Sequence, residues 1–335
     1  MLRRGSLVSA CAATALGAVA VPAAVAQVNG ARDAGEYGAA RATQNVGTGF
    51  GNNFSELNAA YATFNPGAGT LRLLLTGNLE GNGNGIVVFM DTRAGGAVAN
   101  TLPGGFGQFG SVGGARVDDW GTDLDGGPGI NPSPGGGSVV SPGFNPDLAL
   151  EINAGGGGAN YFINVIDLTV PNEPLPNRDV FLGQNAVNGP AVTQTYFREP
   201  TNTPRGTVTH AFNNTNTAGV NALGDPPGDP LSANTGLELE FDTTFLNLDP
   251  GASEVRFFAF VTNGGGDFLS NQFLPGIGAT ENLGGPGGAG GTPLFDIRTL
   301  QGATSFFTAA VPEPASLSAV SLAGICLLAR RRVAR

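Results

Sequence analysis

The chain has 335 residues, with 16 arginines, no lysine, 26 aspartates plus glutamates and a formal charge of −10. With the first 26 and last 25 residues set aside, residues 27–310 hold ten arginines against 25 acids, a charge of −15, which argues against nucleic acid and anionic membrane surfaces as partners. Its only cysteines are Cys11 and Cys326, so no disulfide, thiolate zinc site or cysteine nucleophile can form between those ends.

Residues 1–26 read as a secretory signal peptide. A basic start, Met1-Leu2-Arg3-Arg4, precedes an apolar run from Leu7 to Val21 and the small-residue site Ala24-Val25-Ala26. Cleavage is expected after Ala26, which makes the export machinery and signal peptidase the first partners. Cys11 does not stand in a lipobox at that site, which disfavours a lipoprotein.

The body, residues 27–310, is dominated by strand signals. Ser55 to Tyr61 is predicted as a single helical turn behind a serine cap. Thr70 to Thr76 and Ile86 to Asp91 flank the loop Gly77 to Gly85 and predict a hairpin. Asp147 to Ile152 and Asn160 to Val170 flank Gly155 to Gly158 and predict a second. Thr207 to Phe212 is a predicted strand. Gly236 to Thr243 alternates cleanly, with Leu237, Leu239 and Phe241 on one face and Glu238, Glu240 and Asp242 on the other. A helical turn is predicted over Thr244 to Leu248. Glu254 to Thr262 alternates too, with Val255, Phe257, Ala259 and Val261 on one face.

Glycine is abundant, 55 in all, and much of it falls in clusters that read as loops, because glycine is entropically costly inside helices and strands. The clusters are irregularly spaced, which does not indicate a solenoid. The stretch from Gly126 to Pro142 is a long excursion rather than a domain boundary. The expected fold is therefore all-β: one antiparallel β-sandwich with long glycine- and proline-rich loops.

Candidate chemistry is sparse. Asp119, Asp123 and Asp125 place hard oxygen ligands at i, i+4 and i+6 ahead of Gly126, a pattern that can wrap Ca²⁺. It departs from the EF-hand loop at Gly121 and Asn131, and a solvated acidic turn is the competing reading. The single histidine, His210, lacks both a second histidine at i+2 or i+4 and a nucleophile elbow. It is read as structural or surface-exposed. Glu238 and Glu240 share a strand face that reads as solvated, although paired carboxylates are also the requirement for glycoside hydrolysis. No glycine cluster carries the residues of a phosphate-binding loop. Trp120, Tyr161 and Tyr196 are the rings that a sugar-binding patch would expose together. Ice binding would want a flat, regular threonine array, for which Thr207-Val208-Thr209 is a single instance. No catalytic residue and no cofactor is assigned, apart from the calcium option.

The last 25 residues, 311–335, form a separate address. Val311-Pro312-Glu313-Pro314 precedes an uncharged run from Leu317 to Ala329, predicted as a hydrophobic helix, and the basic stop Arg330-Arg331-Arg332. At about 1.5 Å per residue that helix is shorter than the roughly 30 Å hydrocarbon core of a bilayer, so it can span only with bilayer thinning. The arginines would stay cytoplasmic and leave the body outside. Motif, apolar segment and arginine cluster resemble the PEP-CTERM sorting signal. The resemblance implies a bacterial surface or secreted protein, with Val311 to Pro314 as the recognition motif and an exosortase-type membrane protease as the partner that removes the tail.

A looser resemblance covers the body. The order Glu56-Leu57 with Tyr61, then TLRLLLTGNLE, a strand ending in Asp91, TGLELEF and a late strand is similar to the DOMON-like sandwich of family 9 carbohydrate-binding modules. GNNFSELNAAY, TGNLEGNGN and FLSNQFLPG also resemble bodies that recur on anchored planctomycete-type surface proteins. Together these readings predict an exported, non-catalytic surface or matrix protein associated with exopolysaccharide. The alternatives are a carbohydrate-binding module and a carboxylate-based glycoside hydrolase.

Overall fold

A computed structural model describes residues 27–93, 144, 146–167, 179–198, 203–226, 228–264, 268–283 and 306–311. The elements in chain order are β1 (Ala42–Thr43), β2 (Glu56–Asn65), β3 (Thr70–Asn78), β4 (Gly85–Asp91), β5 (Leu148–Gly155) and β6 (Asn160–Asp167). They continue with β7 (Asp179–Ala186), β8 (Val192–Arg198), β9 (Thr203–Phe212), β10 (Gly236–Asp242), the short helix α1 (Thr243–Leu246), β11 (Glu254–Thr262), β12 (Leu269–Leu274) and β13 (Phe307–Ala310). The first sheet runs β1-β2-β3-β10-β9-β8 and the second β12-β11-β4-β5-β6-β7, with β13 also on β11. The strand pairings within both sheets are antiparallel.

The inward faces of the two sheets form one core. Leu71, Leu73, Leu75, Leu237, Leu239 and Phe241 of the first sheet share it with Val88, Met90, Leu150, Ile152, Phe257 and Val261 of the second. These are the alternate residues that period-two patterning assigns to one face. The alternation of β10 and β11 is thus found as expected.

Two local expectations are corrected. Ser55 to Tyr61 is not a helical turn; Glu56 onward is strand β2, paired with β3 as far as Asn65. A bulge between Leu57 and Ala59 breaks the alternation, so Leu57, Ala60 and Ala62 face the core while Ala59 and Tyr61 face outward. That shift of phase mimics a helical spacing. At the bulge a Cβ on Gly77, whose φ is +149°, would lie 2.0 Å from the Glu56 carbonyl oxygen. Nor do β3 and β4 form a hairpin: β3 pairs with β2 and β10, β4 with β5 and β11, and the intervening loop crosses between sheets. The hairpin of β5 and β6 is found as expected. The predicted turn after β10 is the four-residue α1, which begins at Thr243 and is capped by Asp242, whose carboxylate accepts from the Phe245 amide at 2.7 Å.

Around β4, β11 and β12 the second sheet is buried on both faces. Val87, Phe89, Phe258, Phe260 and Phe273 form an outer cluster with Phe144 and Ile277. This explains the near-continuous apolar runs of β4 and β11, which one-sided burial would not need. On the first sheet, residues 27–41 act as a strap over the outer face. The Arg32 amide donates to the Asn234 carbonyl at 2.8 Å, and the Gly236 amide donates to the Gly30 carbonyl at 2.9 Å.

Candidate functional site

The three segments behind the looser resemblance of the body meet in space. Ser55 Oγ accepts from the Glu80 amide at 3.1 Å and from Asn84 Nδ2 at 2.8 Å. The Leu57 amide donates to Gln272 Oε1 at 3.3 Å. Glu56 is fully buried, and its carboxylate accepts from the Asn53 amide at 3.1 Å and from Asn58 and Asn216 Nδ2 at 3.0 Å each. Burial pushes the Glu56 carboxyl above its ordinary range, and those donors hold it back.

Beside it, Asn271 Oδ1 accepts from the Gly49 amide at 2.9 Å, and its Nδ2 donates to the Gly47 carbonyl at 2.7 Å. Gln272 Nε2 donates to the same carbonyl at 3.2 Å. The amide side chains of β12 therefore pin the backbone of the 44–49 loop, whose buried polar groups need such partners. This seam holds segments together, and its buried acid, Glu56, is taken up by three donors.

A second polar cluster lies under the strap. Glu238 is fully buried, not solvated as its strand face suggested. Its carboxylate accepts from the amides of Asn29 and Gly30 at 2.7 and 2.8 Å and from the Tyr37 hydroxyl at 2.7 Å. Arg72 donates from Nε to Glu240 at 2.6 Å and from a terminal nitrogen to Glu36. Burial pushes the carboxyls of Glu238 and Glu36 up, and for Glu36 the neighbouring Glu238 adds to the effect. Alternation alone reports a face; it does not report what later covers that face.

His210 faces the core between Val208 and Phe212 and is fully buried. Its Nδ1 lies 2.8 Å from the Tyr161 hydroxyl, and its Nε2 has no hydrogen-bond partner. Burial lowers its pKa to about 4, which keeps the ring neutral. This is a core histidine, the structural one of the two readings its lack of companions left open.

A small cleft near α1 is lined by Arg93, Asp147, Asp167, Tyr196 and Arg205. Asp147 is committed there: it accepts from the Thr92 amide and hydroxyl at 2.7 and 3.1 Å, and from the Arg93 amide and Nε at 3.0 and 3.2 Å. Tyr161 and Tyr196 are both buried, so neither offers a face on which a sugar could stack. On the outer face of the first sheet, β8 and β9 pair Thr193 with Thr209 and Thr195 with Thr207. The threonines thus number four rather than the single stretch the sequence displays, although the Thr207 hydroxyl is held by Asp242 at 2.8 Å.

The chain reaches its tail through β13, antiparallel to the first half of β11 in the register Glu254 to Ala310 and Phe257 to Phe307. Phe307 stacks on Phe257 with centroids 5.5 Å apart. Val311, the first residue of the expected sorting motif, is buried in the main core, and its amide donates to the Ser253 carbonyl at 2.8 Å.

Pro312, Glu313 and Pro314, the Leu317–Ala329 run, Arg330 to Arg332 and the bond after Ala26 lie outside the described residues. So do Asp119, Asp123, Asp125 and Trp120. Among the described residues no group of three or more His, Cys, Asp or Glu side chains could hold a metal ion, and no helix is long and apolar enough to cross a membrane. Comparison with protein-family models, curated proteins and solved structures found no match to this chain.

Proposed function

We propose that this chain is an exported, non-catalytic surface or matrix protein, delivered by its leader and sorted through its PEP-CTERM-like tail, with a body that associates with exopolysaccharide. The observation that carries this reading is the junction at β13. The last described strand ends at Ala310, and the motif Val311-Pro312-Glu313-Pro314 follows in sequence without a spacer. A folded body that runs without a linker into the motif supports reading the tail as an appended address. Further support comes from the buried acids Glu56, Asp147 and Glu238, which accept hydrogen bonds that organise backbone. An acid held in that way is spent on structure and is poorly placed to shuttle protons.

The test is expression of the full chain in a bacterium that carries an exosortase and in the same strain lacking it. The reading expects export in both, loss of residues 1–26 in both, and loss of the tail only where the exosortase is present. Retention of the whole chain in the cytoplasm would sink it. A glycan array probed with the exported protein, with and without calcium, then separates general matrix association from a specific carbohydrate-binding module. Release of reducing sugar from a bound glycan would favour the hydrolase instead.

A further inference from the structure

We infer that Val311 is a structural residue of the folded body and that tail removal breaks the chain on its C-terminal side. The inference rests on the proposed tail processing for its second half only. Val311 is 5% exposed and packs in the same core as Phe307 and Ala309, the alternate residues of β13. Its amide closes the pairing with β11 through the Ser253 carbonyl. The order Phe307, Ala309, Val311 therefore continues a strand face one step beyond the last ladder residue.

Proteases that read extended peptides need the backbone and side chains flanking the broken bond free to pair with the enzyme. A cut at or before the 310–311 bond would require β13 to leave β11. That departure would uncover Phe257 and Val255 and turn the Glu254–Phe257 half of β11 into an open edge. Val311 thus serves the fold, and a cut on its C-terminal side leaves β13 paired with β11. Hydrolysis of a later peptide bond consumes a water and leaves a carboxyl terminus on the body and an amine on the tail.

Two measurements on the full chain test this. In an exosortase-bearing host, the intact mass of the mature protein should place its C-terminus beyond Val311. Separately, Val311→Ala should lower the melting temperature by several degrees while the folded fraction is still processed. Glu313→Ala should block processing. Val311→Ala is the gentle variant; Val311→Asp, which buries a charge, should cause a larger fall or loss of folding. A mature chain ending at or before Val311 would overturn the inference. So would a Val311→Ala protein that melts normally yet escapes processing, since Val311 would then be a recognition residue. A wild-type tail that is never cut counts against the proposed function, and the melting comparison still decides the structural role of Val311.

Discussion

The Tyr161 hydroxyl and His210 Nδ1 meet at 2.8 Å across the interface between the two sheets, Tyr161 from β6 and His210 from β9. Their rings sit edge to face, with centroids 5.4 Å apart. Either tautomer of the imidazole leaves a buried polar atom without a partner, because Nε2 has none. Tyr161→Phe would add Nδ1 to that deficit. It should cost about 1–3 kcal/mol in denaturant unfolding at pH 7, the usual penalty for orphaning a buried polar group. An unchanged midpoint would mean that the bond contributes nothing net.

His210 should also make stability depend on acid. Its folded pKa is depressed to about 4, against an ordinary value of 6.5. Between those values the unfolded chain binds more protons than the folded one. The contribution is therefore complete above pH 6.5 and is lost as pH falls toward 4, amounting to about 3 kcal/mol. The raised carboxyls of Glu36, Glu56, Asp147 and Glu238 act with the opposite sign, since their stabilisation declines as pH rises. Subtracting the profile of His210→Gln from that of the wild type isolates the histidine. A difference that stays constant from pH 7 to pH 4 would contradict its neutral burial.

Glu238 fastens the strap. Glu238→Ala removes the acceptor of the Asn29 and Gly30 amides and of the Tyr37 hydroxyl, at an expected cost of about 2–4 kcal/mol. Hydrogen exchange should rise across residues 28–37 before it rises in β3 or β10. Protection that falls equally everywhere would show that the strap and sheet open as one unit.

The outer face of the second sheet should be as sensitive as the inner one. Phe258→Ala empties a fully buried site between Phe260 and Phe273 and should cost about 3–5 kcal/mol. Denaturant midpoints compared with Phe257→Ala on the inner face would check this. A near-neutral Phe258→Ala would mean that the outer cluster is not a core.

Glu56→Ala should loosen the seam between β2 and the loop that carries Asn216, at about 2–4 kcal/mol, because three donors lose their acceptor. Glu56→Gln keeps the shape but turns a donor toward other donors and should recover only part of the loss. Full recovery would show that the charge plays no part.

The sequence by itself determined the all-β class, the inward faces of β10 and β11, and the hairpin of β5 and β6. These follow from local signals: period-two alternation and glycine turns. Asn58 shows where locality fails, because one bulged residue shifts the phase of β2 and imitates a helix. Only the tertiary structure decided that β3 pairs with β10 rather than β4, that Glu238 is covered by the strap, that both faces of β11 are buried, and that Val311 belongs to the core. Each of these depends on a segment distant in sequence; Glu238 and Asn29 are 209 positions apart. Periodicity states which way a side chain points, but the burial of that direction is set by chain that folds over it from elsewhere.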